Sequence, residues 1–92
     1  MAKIIKTDGS EREVRPASRL GFSVEELQEF CGGYVKPITL HDGRVMYVND
    51  LGTVYELDVN AQATEIADEA GALEQGDIIV GDVLICSEED VQ

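Results

Sequence analysis

The sequence has no tryptophan, three tyrosines, two phenylalanines, two cysteines, two prolines and a single histidine in 92 residues. Each shortage excludes something. With so few rings, the core has to be built mainly from Val, Ile, Leu and Ala. Cys31 and Cys86 form no C-x-x-C pair, and one histidine cannot complete a zinc site with them. They read as two reduced thiols packed as small hydrophobes. No apolar run approaches the roughly 18 residues that a membrane span needs. The opening "MAKIIKTDGS" lacks the apolar stretch and cleavage site of a secretion signal. A cytoplasmic protein with no membrane partner is expected.

Basic residues are missing from a whole half of the chain. Residues 1–44 hold all seven Lys and Arg, balanced by seven acids, whereas residues 45–92 hold twelve acids and no Lys or Arg. The net charge of −12 therefore belongs to the second half. That half cannot bind nucleic acid by neutralising phosphates, and it attracts a basic partner instead. A solvated acidic surface that serves solubility alone accounts for the same pattern.

The chemical motifs are missing too. There is no G-x-G-x-x-G, no P-loop lysine motif, no H-E-x-x-H and no calcium loop. His41 is followed by Asp42 but has no nucleophile near it in sequence, so it reads as a solvated turn residue at a hairpin tip. Carboxylates are plentiful, yet nothing singles out a pair or a divalent-ion site. The expectation is a protein that is not an enzyme and has no cofactor, no metal and no catalytic residue.

What is present is an orderly series of local signals in a chain long enough for one small domain, 1–92. Apolar Ile4 and Ile5, an Asp8-Gly9 turn and the polar run Glu11–Arg15 read as a hairpin with an edge strand ended by Pro16. Ser23-x-x-Glu26 is a capping box opening a helix with a Val24, Leu27, Phe30, Cys31 stripe. Gly32-Gly33 closes that helix, and Phe22 is placed to pack on Leu27. Asp42-Gly43 reads as a two-residue turn between "YVKPITL" and "RVMYVN", pairing Leu40 with Val45, Ile38 with Tyr47 and His41 with Arg44. Pro37 then has to face an edge or a bulge. "TVYEL" follows as the third strand of a meander. Asn60 caps a second helix with Ala63, Ile66, Ala67 and Ala70 inward, closed by Gly71. "DIIVGDVLIC" is either a tight hairpin at Gly81-Asp82 or one helical turn followed by a closing strand "DVLICS". The second reading is preferred because three-residue strands make a poor hairpin. The last few residues read as frayed. Together these signals predict an α+β fold: an antiparallel sheet of about five strands (hairpin, three-stranded meander, closing strand) with two helices.

The order of Gly32, Gly33 and Tyr34, then Asn49, Asp50 and Gly52, then Asn60, Ala63 and Thr64, with Gly81 near the end, resembles the domain-of-unknown-function family numbered 3846. The resemblance spans residues 3–86. It implies a small protein of bacteriophage or mobile-element origin, and no activity. Three functions remain in play. The first is an interaction protein binding a host or phage macromolecule, with a basic protein the expected partner. The second is a nucleic-acid mimic inhibiting a DNA-binding or defence protein through the acidic half. The third is a nucleotide or other small-molecule binder, which needs positive charge that only residues 1–44 supply. For an acidic binding face, the candidates are Glu65, Asp68 and Glu69 on the second helix, with Glu56, Asp58 and Glu74 nearby.

Overall fold

A computed structural model describes residues 2–92. Strands β1 (Ala2–Ile5) and β2 (Glu11–Val14) precede helix α1 (Val24–Cys31). Strands β3 (Val35–Thr39) and β4 (Arg44–Asn49) follow, then helix α2 (Ala61–Glu69) and strand β5 (Val83–Ser87). The five strands make one antiparallel sheet in the order β2-β1-β5-β4-β3. The α+β class with five strands and two helices is thus what the sequence predicts.

The closing strand takes the middle of the sheet. β5 lies between β1 and β4, which is why the first four of its five residues, Val83 to Cys86, are all buried and apolar. Strand alternation sorts the apolar residues onto two faces. Ile5, Met46, Val48, Val83 and Ile85 pack with Ala63 and Ala67 of α2. Ala2, Ile4, Val45, Leu84 and Cys86 pack on the other face with Phe22 and with Leu27 of α1. Each helix therefore covers one face. The α1 capping box is complete, with Ser23 Oγ accepting from the Glu26 amide and Glu26 accepting from the Ser23 amide, and Gly32 ends the helix at φ +80°. Val24 departs from the predicted stripe and is 60% exposed. Fully buried Phe22, edge-on to Phe30 at 5.8 Å, fills the interior at that end instead.

Several expectations fail where distant segments meet. The β3–β4 connection is a three-residue loop, His41-Asp42-Gly43, with φ +65° at His41 and +88° at Gly43. The Leu40 amide donates to the Arg44 carbonyl at 3.0 Å, and the register becomes Thr39–Val45, Ile38–Met46 and Pro37–Tyr47. This is one residue away from the two-residue reading, and one residue changes which face each β3 side chain takes. "TVYEL" is not a strand. β5 occupies the edge of β4 that a third meander strand needs, and residues 51–57 close into overlapping turns through Tyr55 N to Leu51 O (3.0 Å) and Leu57 N to Gly52 O (3.0 Å). "DIIVG" is neither a helical turn nor a hairpin. Its backbone pairs with residues 58–60 through Asn60 N to Ile79 O and Gly81 N to Asp58 O (both 2.8 Å), around a Val59–Val80 bridge.

The C-terminus, expected to fray, is tied down. Phe22 N donates to Asp90 O at 2.6 Å, and Gln92 returns bonds to Phe22 O and Gly21 O at 3.0 Å each. Gly21 stands at φ +105°, and a Cβ there would lie 2.5 Å from Asp90 O, so this crossing requires glycine.

Candidate functional site: an acidic groove beside helix α2

The start of α2 is held by Asn60, which is fully buried. Its Oδ1 accepts from the Ala63 amide at 3.0 Å, while its Nδ2 donates to the carbonyls of Ile5 and Gly81, both at 2.9 Å. One side chain thereby caps the helix and anchors it to β1 and to the entry of β5. Thr64 continues the junction: its hydroxyl donates to Asn60 O (2.8 Å) and accepts from the Ile79 amide (2.8 Å). These bonds hold residues 74–80 beside the helix. Between the two lies a groove of about 540 Å3, lined by Val59, Ala61 and Thr64 and by the carboxyl-bearing Glu65, Asp68, Glu74 and Asp77. Val59, 52% exposed, adds an apolar side chain to that lining.

The structure divides the six predicted residues. Glu65, Asp68 and Glu74 share this groove. Glu69 faces another depression on the same helix, together with His41, Arg44 and Ile66. Asp58 lines a separate pocket of about 330 Å3 with Thr7, Glu29 and Asp82. Glu56 is an exposed turn residue at φ +54°. Asp77 is the member that sequence reasoning missed, because it opens the "DIIVG" segment that reads as a helical turn or a hairpin strand. Here it closes a turn, donating from its amide to Glu74 O (3.0 Å) and accepting from the Glu74 amide (3.3 Å).

Among the described residues, every Lys and Arg that compensates a carboxylate lies in residues 1–44. Among the described residues the ion pairs are Lys3–Glu11 and Arg44–Asp42, both at 2.8 Å. The hydrogen bond from Arg44 holds the Asp42 carboxyl below its usual range, and bonds from Lys3 and Gln62 do the same for Glu11. Glu65, Asp68, Glu74 and Asp77 have no basic partner among the described residues. His41 stays at a hairpin tip with its Asp42 neighbour turned to Arg44. The thiols are buried, and burial pushes Cys31 up to about 12 and Cys86 to about 11. Neither supplies a thiolate near neutrality. Among the described residues, no group of three or more His, Cys, Asp or Glu is placed to hold a metal ion, and no helix is long and apolar enough to cross a membrane.

The protein is thus a small α+β domain, one antiparallel sheet with a helix on each face. The chain belongs to the family described as Domain of unknown function (DUF3846), whose model matches residues 2–92. No curated protein and no solved structure matches it.

Proposed function

We propose that this chain is a small non-enzymatic interaction protein, acting in the cytoplasm in a phage or mobile-element setting, whose acidic groove binds a basic segment of a host or phage protein. The observation that carries this reading is the gathering of four uncompensated carboxylates, Glu65, Asp68, Glu74 and Asp77, around the exposed Val59. Unpaired acids at one place focus a negative potential that reaches about 8 Å at physiological salt. A lining that combines exposed Val59 with four carboxylates suits a Lys- or Arg-bearing segment with one apolar side chain. The same carboxylates oppose a nucleotide or any other anionic ligand. A nucleic-acid mimic is the narrower version, in which the basic segment is itself a DNA- or RNA-binding surface. It is favoured by Glu65 and Asp68, one helical turn apart, lining the same groove as Glu74 and Asp77.

The test is paired affinity capture from host and from infected-cell lysate, using the wild-type chain and the Glu65→Lys, Asp68→Lys, Glu74→Lys triple variant, at low and at about 0.5 M salt. A basic protein held by the wild type, and lost both from the variant and at high salt, supports the reading. Release of that protein by added duplex DNA selects the mimic. Identical captures with wild type and variant overturn it.

A further inference from the structure

The two edges of the sheet are protected unequally. At the β3 edge, the Leu40-to-Arg44 and Asp50-to-Tyr34 backbone bonds set the parity, so that Val35, Pro37 and Thr39 direct their backbone outward. Pro37 stands in the middle of that row and denies an added strand its central donor. At the β2 edge, the Lys6 amide donates to Ser10 O at 2.9 Å, so Arg12 and Val14 bond inward to β1. The backbone groups of Glu11 and Glu13 therefore face outward, and Arg15, kept extended by the proline after it, follows directly beyond the last residue of β2. No proline interrupts them until Pro16, and Glu11 to Glu13 are exposed.

We propose that the β2 edge is a self-association surface that pairs antiparallel with β2 of a second copy. The argument for a second copy is the pattern Glu11-Arg12-Glu13-Val14-Arg15, which is its own complement. A two-fold axis normal to the sheet keeps side chains of both copies on matching faces only when paired residue numbers sum to an even value. Setting Arg12 on Arg12 also sets Glu11 on Glu13, with like charges throughout. Setting Glu13 on Glu13 needs Glu11 for Arg15, but Glu11 is already bonded to Lys3 and Gln62. Setting Val14 on Val14 places each Glu13 opposite the Arg15 of the second copy. It forms two ion pairs on one face and an apolar pair on the other, with no like charges opposed. The Val14 contact adjoins a groove of about 600 Å3 lined by Ala2, Val14, Pro16 and Phe22 together with Glu13, Arg15 and Asp90, which a second Val14 covers in part. The negative charge of each copy is screened beyond about 8 Å at physiological salt.

Sedimentation equilibrium on the full chain to about 1 mM, with circular dichroism to confirm folding, tests the surface. The wild type is expected to form a dimer. Glu13→Arg and Arg15→Glu each oppose like charges twice and should weaken it at least about tenfold. Mixing those two variants, or combining both changes in one chain, restores opposite charges and should restore association. A wild type that stays monomeric to the highest concentration, single variants that dimerise like wild type, or a mixture that fails to associate overturns the proposal.

Discussion

Replacing Asn60 probes the junction on which α2 and the groove depend. Asn60→Ala withdraws the two Nδ2 donations to Ile5 O and Gly81 O and the Oδ1 acceptance from Ala63 N. Two net hydrogen bonds at about 1 kcal/mol each and a helix cap at about 1 kcal/mol sum to about 3 kcal/mol. For a domain of this size that lowers Tm by about 12–24 °C. Asn60→Asp separates the two roles. Aspartate caps a helix as well as asparagine does, but it has no donor and brings a carboxylate oxygen against two carbonyls that now stand 2.9 Å from Nδ2. Burial and those carbonyls raise the pKa of the new group above its unfolded value of about 3.9. The native state then binds the extra proton, so the loss grows as pH rises from about 4 and is greatest above the folded pKa. Urea denaturation at pH 5 and pH 8, followed by circular dichroism, should rank wild type above Asn60→Ala and Asn60→Ala above Asn60→Asp at pH 8, with Asn60→Asp recovering at pH 5. An Asn60→Asp chain within about 1 kcal/mol of wild type at pH 8 would show that capping alone matters and refute the anchoring role.

Two further outcomes follow from buried thiols and from the tail. Cys31 and Cys86 have folded values of about 12 and about 11 against an ordinary 9.0. The unfolded chain therefore ionises first, and stability falls from about pH 9 by roughly 1.4 kcal/mol per thiol per pH unit until about pH 11. Denaturation midpoints in a pH 8–11 series read this directly, and Cys86→Ala should reduce the slope; a flat profile contradicts the burial. Gly21→Ala combines a positive φ with a Cβ 2.5 Å from Asp90 O, so it should release residues 90–92 and cost about 1–3 kcal/mol. Hydrogen exchange checks this, since the Phe22 and Gln92 amides lose their protection if the tail comes free.

Local chemistry made much of the fold readable. The Ser23–Glu26 box, the Gly32 stop, the Asn60 cap and the Ala63–Ala67 stripe each depend on residues within a turn or two, and all stand where the sequence puts them. Pro37 likewise announced an edge strand. Three of the six candidate acids, Glu65, Asp68 and Glu74, meet at one groove, because helix spacing and a neighbouring turn suffice to place them. The remainder depended on partners far along the chain. β5 claims the inner edge of β4, which leaves "TVYEL" without a strand to join, and residues 58–60 draw "DIIVG" out of any helical turn. His41 accepts a positive φ because the sheet register, set by both faces packing against helices, requires a three-residue loop. Asp77 joins the groove, and Asp58 leaves it, through those same long-range pairings. Short-range capping and periodicity determine which segments become helices and hairpins. Which edges, faces and carboxylates end up together is decided only when the closing strand enters the middle of the sheet, since backbone hydrogen bonds there admit one neighbour on each side.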